Sequence, residues 1–399
     1  MANAQLFHAL GLHMHQPPDN LRLLMNRDPQ EAERIIRCYE RVPRYARKFK
    51  EHARIHVGFS GVLLEQLRDP EIIDSYRSMI DIPAMLDSYA KADTIELIGM
   101  GYYHPLFPLI PPEDWNDHLV RGRQMVRKVF GRAPCGFWPS EMAFCMDMVP
   151  ALVKAGYEYV IVDSAHLQPK NDVADLHRPC RATVDGLSIV VLPCDRELSD
   201  AQRQGPESRS FFRALRRRLQ HGPLEHAPQA DQPRLITTWS DGENGGWFRQ
   251  MHEPSGFFGH FFAPFMEEIE TGRSGVRPIF ISDFIARSPP VEEASVRTSF
   301  RMPGAGLDVS QGTASPARTE AVEHIHALSA RYRNLASNTE GFSAEDRKLL
   351  DEARTLVLEA ETSCFVSWGE EWLAKLYDRT RQAETLLDKA ETRRSNGQA

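Results

Sequence analysis

The sequence predicts an α/β fold in which mainly parallel strands close into a barrel, followed by a helical C-terminal region. Between residues 6 and 290, seven short apolar stretches alternate with helical patterns, which is typical of consecutive βαβ units. His, Glu, Asp or Tyr follow directly after several of these stretches, as they do on the carboxyl rim of a barrel. Beyond residue 318 the pattern is helical.

Composition and charge are those of an ordinary globular enzyme. The chain has 399 residues, of which 42% are hydrophobic and 26% charged, and its net charge of −7 offers no basic face for nucleic acid. No apolar run reaches the length of a membrane span, so we expect no membrane partner. The six cysteines show no metal-binding spacing and the start resembles no secretion signal, which together predict reduced thiols and a cytoplasmic location.

The first predicted strand, Leu6–Leu12, runs into His13 and His15. Two residues with a spacing of two point to the same side of an extended chain. One interpretation is a pair of metal ligands, but a metal needs a third ligand that the sequence does not identify. We prefer the other interpretation, in which both histidines form hydrogen bonds to the hydroxyl groups of a polar ligand.

The second and third predicted strands are Ile55–Phe59 and Thr94–Met100. Glu96 lies within the third strand among apolar neighbours, where an unpaired carboxylate is costly, so it must either pair with a buried partner or face a ligand. Tyr103 and His104 follow the end of the same strand. His104 is as often a packed loop histidine as a ligand contact.

The fourth predicted strand is short and stops at a carboxylate. Residues 136–144 contain Trp138, then Pro139 and Glu141, and a helical pattern covers residues 142–156. Glu141 either caps that helix or is a catalytic group in a strand-to-helix turn, where α/β folds place such groups.

Three further stretches complete the series of strands. These are Tyr159–Val162, Ser188–Leu192 and Leu235–Trp239, and a short segment, Ile279–Ile281, is either an additional strand or a connector.

The last of the seven strands is followed by a second carboxylate, Asp241. Glu141 and Asp241 each have a tryptophan shortly before them, Trp138 and Trp239, and Trp247 lies a little further on. Cleavage of a glycosidic bond needs two carboxyl groups that flank the bond, and aromatic faces suit a sugar ring. The two stretches together therefore predict a carbohydrate-cleaving site.

The C-terminal third differs in composition and in hydrophobic pattern. Residues 301–316 are rich in Gly, Ser and Pro, which indicates a loop or crossing between domains. Residues 361–368 interrupt the helical pattern, and they are either an ordinary helix end or a segment that leans over the barrel mouth and adds Glu361 or Trp368 to the site. We predict a barrel at residues 1–290, a crossing segment at 291–318, and a helical domain packed on the barrel at 319–399.

Five stretches of the chain, taken in order, resemble the sequence motifs of glycoside hydrolase family 57. This family includes α-amylases, 4-α-glucanotransferases and glycogen-type branching enzymes. One departure is Asn244–Trp247, since the family usually has a Phe-Gly pair at this point. The five stretches are His13–Pro17, Ile95–Leu97 with Tyr102–Pro105, Trp138–Glu141, Asp241–Glu243 and Glu361–Trp368.

The resemblance implies a distorted (β/α)7 barrel with parallel strands and a C-terminal α-helical bundle, and a retaining mechanism without metal or cofactor. Glu141 matches the family's nucleophile and Asp241 its general acid/base. The expected substrate is an α-1,4-glucan or maltooligosaccharide. We assign substrate binding to His13, His15, Glu96, Tyr103, His104, Trp138, Trp239, Glu243, Trp247 and Trp368.

Within this expectation the reaction stays open between hydrolysis, 4-α-glucan transfer and branching. One alternative is a metal-dependent polysaccharide deacetylase or mannosidase-like enzyme on a related barrel, for which His13 and His15 would be the starting point. Another is a non-catalytic carbohydrate-binding relative, but the presence of both carboxylates counts against it.

Overall fold

The computed structural model describes residues 6–170, 176–220, 233–298, 315–338 and 342–397. Its strands are β1 Leu6–Met14, β2 Ile55–Phe59, β3 Ile95–Gly99, β4 Gly136–Phe137, β5 Tyr159–Asp163, β6 Leu167–Pro169, β7 Cys180–Val184, β8 Leu187–Cys194, β9 Arg234–Asp241, β10 Val276–Pro278 and β11 Ala294–Val296.

The α-helices surround these strands or follow them. They are α1 Asn20–Arg27, α2 Pro29–Lys48, α3 Gly61–Gln66, α4 Pro70–Tyr76, α5 Ile82–Lys91, α6 Trp115–Phe130, α7 Met148–Lys154, α8 Arg196–Gln204, α9 Ser208–Gln220, α10 Ala263–Glu270, α11 Ile281–Arg287, α12 Pro316–Ala336, α13 Ala344–Ala360, α14 Ser363–Ser367 and α15 Leu373–Gly397. Within the described ranges, none of these helices is long and apolar enough to cross a membrane.

Seven parallel strands close into a barrel. The order around the ring is β1, β2, β3, β4, β5, β8 and β9, and β9 returns to β1. β1 pairs with β9 from Leu6 to His13, whereas β8 meets β9 only at Cys194 and Thr237. One side of the barrel is therefore tightly paired and the other loosely, which distorts it. The predicted closed barrel of seven parallel strands is confirmed.

β1 and β9 are buried on both faces because successive side chains alternate between the barrel interior and the surrounding helices. Phe7, Leu235 and Trp239 belong to the cluster that fills the interior. Leu10 and Ile236 point the other way and pack against the helical layer. This double burial explains why both strands read as continuous apolar runs.

Large interior side chains cross the barrel opposite glycines. A Cβ atom added at Gly11 would lie 1.9 Å from the Trp239 ring, and one at Gly136 would lie 2.1 Å from the Tyr159 ring. The interior is thus filled with side chains, so a ligand site must lie on the rim.

Short strands lie outside the closed ring of seven. β7 forms an antiparallel hairpin with β8, β6 pairs antiparallel with β11, and β10 runs beside the start of β1. The segment at residues 279–281 follows the connector alternative, since the extra strand ends at Pro278 and a helix begins at Ile281. β11 pairs with β6, so the part of the chain that pairs with the barrel domain continues past the predicted end at residue 290.

The C-terminal helices form a bundle against the barrel, as predicted. α12, α13 and α15 share an apolar cluster that includes Leu328, Leu350 and Leu387. The predicted crossing segment falls largely on residues 299–314, which lie outside the described residues. The exact domain boundaries stay a prediction.

A buried ionic group joins the bundle to the barrel. Arg354 of α13 donates to Asp114 and Asp117 with N···O distances of 2.7 Å to each. Ser329 of α12 also donates to Asp114, and Arg333 lies 3.4 Å from the same carboxylate. Asp114 is fully buried, and these donors compensate the cost of removing its charge from water.

Substitution of Gly11 by Ala should destabilise the barrel. The added methyl group would overlap the Trp239 ring inside a filled interior, so we expect the free energy of unfolding to fall by about 2 kcal/mol or more. Urea unfolding followed by tryptophan fluorescence measures this. Gly246→Ala is the control, because its Cβ would meet no described atom within 4 Å. Equal unfolding midpoints for the two variants would contradict the packing argument.

Candidate active site

The pairing of β1 with β9 places His13 opposite Asp241 at the carboxyl rim of the barrel. His13 Nε2 lies 2.9 Å from Asp241 Oδ1, and the Asp241 side chain remains 31% exposed. Burial alone would raise the pKa of Asp241, but the His13 imidazole and the hydrogen bonds from His13 and Asn244 outweigh it and hold this pKa at about 2. The Asp241 carboxylate is therefore ionised in the ligand-free protein.

The rings of Trp138 and Trp239 are stacked in layers next to the His13 ring. The His13 ring stacks on Trp138 with centroids 4.0 Å apart, and Trp138 lies parallel to Trp239 at 6.2 Å. His13 Nδ1, Trp138 Nε1 and Trp239 Nε1 are buried and find no hydrogen-bond partner among the described residues. Since buried polar atoms are normally paired, these three atoms are unsatisfied in the ligand-free protein.

His15 and His104 form a second stack, with parallel rings 4.0 Å apart. His15 Nδ1 lies 2.8 Å from Ser60 Oγ, and its Nε2 lies 3.3 Å from Cys364 Sγ. Burial, followed by the nearby His13, lowers the pKa of His15 to about 3. This imidazole is therefore neutral at physiological pH and can act as donor or acceptor.

His104 is held by the C-terminal segment. Its Nδ1 lies 2.8 Å from Ser363 Oγ, and the Ser363 N–H donates to the His104 carbonyl at 3.1 Å. Burial, followed by His15 and His13, places the pKa of His104 well below its usual value. His104 Nε2 is buried and has no partner in the described part of the chain. The segment at residues 361–368 thus covers the barrel mouth through Ser363 and Cys364.

Glu141 lies in a strained turn directly after β4. It has φ 53° and ψ 23°, and Met142 follows with φ 52°. This pair of left-handed residues ends the helical path, so the predicted helix at residues 142–156 begins only at Met148. The cap of that helix is Asp147, which removes the interpretation of Glu141 as a helix cap.

Backbone strain marks the same region. Among the described residues, five non-glycine residues have positive φ, and three of them are His104, Glu141 and Met142. Such strain persists where the surroundings enforce it and is frequent at functional sites. After burial, the Glu141 carboxylate is the largest cause of the raised pKa of the Cys364 thiol, so Glu141 lies near the histidine stack.

Glu243 is a second carboxyl group on the Asp241 loop, and it is buried. Its Oε1 accepts from the His15 N–H at 2.7 Å and from the Gln16 amide at 3.3 Å, while Oε2 has no partner among the described residues. Burial is the main reason that the pKa of Glu243 lies well above its usual value, and the Asp241 charge adds to it. Two acids on one loop are therefore held in opposite protonation states.

The structure does not bring Glu96 to the predicted substrate site. Glu96 is near the start of β3, at the opposite end of the barrel from Asp241. It accepts hydrogen bonds from the Tyr159 hydroxyl at 2.6 Å and from the Ser282 hydroxyl at 3.1 Å, and His56 Nε2 lies 3.4 Å away. The alternative that we considered, a carboxylate paired with buried partners, describes it correctly.

Three other predicted contact residues are not brought to the histidine and tryptophan stacks. Tyr103 is buried beneath its loop, with its ring edge-to-face on Tyr102 at 4.7 Å. Trp247 packs over Gly205, and its ring lies edge-to-face on Phe257 and on His260. Trp368 is 40% exposed, with its ring edge-to-face on Trp372 at 4.8 Å.

Sequence reasoning missed Ser60, Ser363 and Cys364 as partners of the two stacked histidines. Ser60 follows the end of β2 immediately, and the strand-end pattern used elsewhere would have identified it. Ser363 and Cys364 are far along the chain from His15 and His104, and only the weak fifth motif hinted at them.

Glu361 lies behind the site, where it supports the loop that carries Tyr103 and His104. Its Oε2 lies 2.6 Å from His118 Nε2, both side chains are fully buried, and His118 Nδ1 accepts from the Tyr103 N–H at 3.5 Å. Burial raises the pKa of Glu361 well above its usual value, and the neighbouring Asp114 charge reinforces this shift. A protonated Glu361 can then donate to Asp114.

The described residues contain no group of three or more His, Cys, Asp or Glu side chains placed to hold a metal ion. His13 is instead paired with Asp241, and His15 with Ser60 and Cys364.

The protonated state of Glu361 predicts a pH-dependent effect of Glu361→Gln. A carboxyl group with a raised pKa in the folded state loses stabilisation as pH rises above its unfolded-state pKa of about 4.5, because only the unfolded chain then ionises freely. Relative to wild type, the Gln variant should gain up to about 1.4 kcal/mol in free energy of unfolding for each pH unit above that value.

Urea unfolding of both proteins between pH 5 and pH 8 measures this difference. Glu352→Gln on the exposed face of α13, the helix that ends just before Glu361, is the control and should show a difference that does not change with pH. A constant difference for Glu361→Gln as well would show that Glu361 is ionised in the folded protein.

Comparison with known proteins places the chain in a family. The model described as Glycosyl hydrolase family 57 matches residues 9–297. An alpha-amylase from Pyrococcus horikoshii is 28% identical over 247 residues, covering 61% of this chain and 34% of the relative. A 4-alpha-glucanotransferase from Thermococcus litoralis is 25% identical over 286 residues, covering 70% of this chain and 38% of the relative. The chain thus spans about a third of the length of these curated relatives.

Solved structures share the fold. A GH57-type branching enzyme from Pyrococcus horikoshii superposes with a TM-score of 0.73 at 15% identity, covering 96% of this chain and 88% of the other. The 4-alpha-glucanotransferase from Thermococcus litoralis superposes with a TM-score of 0.72 at 18% identity, covering 96% and 60%. Since the family model matches most of the sequence and the barrel is the same, this chain belongs to glycosyl hydrolase family 57.

Proposed function

We propose that this protein cleaves α-1,4-glucosidic bonds in α-glucans or maltooligosaccharides with retention of configuration, as a hydrolase or a 4-α-glucanotransferase. The observation that carries the proposal is the position of Glu141 and Asp241 on the carboxyl rim of the barrel, beside a wall of stacked aromatic rings with buried polar atoms that lack partners among the described residues. Similarity to an alpha-amylase and to a 4-alpha-glucanotransferase supports the same reaction class.

In the proposed mechanism Glu141 is the nucleophile. Its carboxylate attacks the anomeric carbon while the bond to the leaving oxygen breaks, and Asp241 gives that oxygen a proton. In the second step Asp241 takes a proton from water or from a sugar hydroxyl group, which attacks the anomeric carbon and releases Glu141. Water yields hydrolysis and a glucan hydroxyl yields transfer.

The first step needs a proton on Asp241, which is ionised in the ligand-free protein. A bound glucan would displace water from this partly exposed carboxylate, and loss of solvation raises the pKa of a carboxyl group. The hydrogen bond from His13 Nε2 provides a path by which a proton reaches Asp241 Oδ1. Substrate binding and acid formation are coupled in this way.

The unsatisfied polar atoms of the aromatic wall are suited to sugar hydroxyl groups. Trp138 Nε1 and Trp239 Nε1 can only donate, whereas neutral His104 can donate or accept. We include Glu243 in the same substrate-binding group because its protonated Oε2 is also without a partner in the described residues. Tyr103, Trp247 and Trp368 lie away from this wall and are not part of the proposed group.

A reducing intracellular compartment belongs to the same proposal. All six cysteines lie in the described ranges and none of them forms a disulfide bond there, as is usual for proteins of the reducing cytoplasm.

Glu141→Gln should abolish turnover, since the change removes the nucleophile with little change in volume. We expect the rate on maltoheptaose to fall by at least about a thousandfold. Chromatography of the products measures this and also separates the two reactions. Chains longer and shorter than the substrate indicate transfer, and only shorter chains indicate hydrolysis. Glu158→Gln, an exposed change at the other end of the barrel, should leave the product pattern as in wild type.

The same assay distinguishes the metal-dependent alternative. Wild-type turnover that continues in a chelator supports the proposal, whereas loss of turnover in the chelator would favour that alternative. Near-normal activity of Glu141→Gln would refute the assignment of the nucleophile.

Asp241→Asn should slow both steps, and the second step should recover in part when azide is added. The amide cannot activate water, but azide attacks the glycosyl-enzyme without base assistance and leaves a glycosyl azide of retained configuration. Mass spectrometry detects this product. An active Asp241→Asn variant that forms no glycosyl azide would argue for a different acid/base.

A further inference from the structure

A polar cleft with a volume of about 410 Å³ opens beside the loop that follows Asp241. It lies between helix α2 and this loop, and the proposed mechanism does not use it. Its size falls in the range of small-molecule sites. It is lined by Glu31, Arg34, Gly245, Gly246, Arg249, Gln250 and Met251.

Two hydrogen bonds connect the cleft to the acid/base. Arg249 Nη2 donates to Asn244 Oδ1 at 2.8 Å, and Asn244 Nδ2 donates to Asp241 Oδ1 at 3.0 Å. Arg249 Nε also donates to the carbonyl of Glu243 at 2.7 Å, which fixes the loop over the barrel rim. The cleft is therefore two hydrogen bonds away from Asp241, the group that contacts the leaving oxygen in the proposed mechanism.

The side of the bond determines which part of a glucan would occupy the cleft. In a retaining enzyme the acid/base protonates the leaving oxygen and later deprotonates the acceptor. Sugar units on the side of Asp241 thus belong to the leaving chain in the first step and to the acceptor chain in the second.

The cleft suits a neutral polyhydroxylated ligand. Its guanidinium groups are already compensated, since Arg34 and Arg249 both pair with Glu31, and Arg249 also donates to Asn244 and Glu243. The Gln250 amide adds a further donor and acceptor on an exposed side chain.

Two glycines and a methionine complete the cleft. Gly245 and Gly246 leave the backbone open, because a Cβ at either position would meet no described atom within 4 Å. Met251, which is 45% exposed, offers an apolar surface at the rim for the C–H face of a sugar ring.

We propose that this cleft is an acceptor-side subsite that binds a glucosyl unit of the leaving or acceptor chain. The proposal rests on the proposed function, since Asp241 defines the sides of the bond. The segment Asn244–Trp247, which differs from the usual family motif, has a function in this proposal. Asn244 links the proposed catalytic acid to the cleft, and the two glycines keep the cleft open.

The test fills the cleft with a side chain. Gly246 has no positive φ and open space around it, so Gly246→Tyr should fold normally. We expect its KM for maltoheptaose to rise by about tenfold, the effect of losing about 1.4 kcal/mol of binding. For α-maltosyl fluoride, which has no sugar on the leaving side, kcat/KM should stay within about twofold of wild type.

A matched control fills a different cleft. Ala327→Tyr places the same side chain in a cleft of the same volume, about 410 Å³, on the C-terminal bundle. It should behave as wild type on both substrates. Gln250→Ala, which removes a polar contact without adding volume, should raise the KM for maltoheptaose less than Gly246→Tyr does.

The outcomes distinguish a failure of the proposed function from a failure of the proposed subsite. If wild type releases no fluoride and leaves maltoheptaose intact, the proposed function fails and the subsite falls with it. If wild type is active but Gly246→Tyr matches Ala327→Tyr on maltoheptaose, only the subsite is refuted. An equal loss on both substrates also refutes it, since the change then acts on a part of the site that both substrates share. Inhibition of wild type by inorganic phosphate that disappears in Gly246→Tyr would identify an anion site instead.

Discussion

The parallel pairing of β1 with β9 determines both the closure of the barrel and the chemistry on its rim. One register places Gly11 opposite Trp239 and, two residues further on, His13 opposite Asp241. The first pair lets a large ring cross the interior, and the second brings an imidazole to the proposed acid. A shift of one residue in this register would turn every side chain of the strand to its other face, so packing and site cannot vary independently.

Burial gives the ionisable groups around the mouth different protonation states. His15 and His104 are neutral because they are desolvated in a stack, and Glu243 and Glu361 are held protonated for the same reason. Asp241 is the exception, since it is partly exposed and faces His13. Glu243 and Glu361 therefore add no negative charge to that of Asp241.

Much of the barrel was predictable because parallel strands buried on both faces read as continuous apolar runs. The spacing of His13 and His15 correctly gave their common direction, and the strand ends gave the region of the site. Local patterns failed at Glu141, where two successive residues with positive φ stop a helix that the apolar pattern had predicted. They also failed at Glu96. Its partners come from other parts of the chain, and the sequence alone does not show whether a carboxylate in a strand meets such partners or faces a ligand.

The contacts of Ser363 and Cys364 with the stacked histidines affect the order in which the protein becomes functional during synthesis. Cys364 follows His15 by 349 positions, so the ribosome releases all seven barrel strands long before the partners of these histidines exist. A nascent barrel can close, but its mouth lacks the residues that hold His104 in its strained backbone conformation. The segment after α13 is therefore needed to complete the mouth, and an unfinished chain that has folded its barrel would not yet have these contacts.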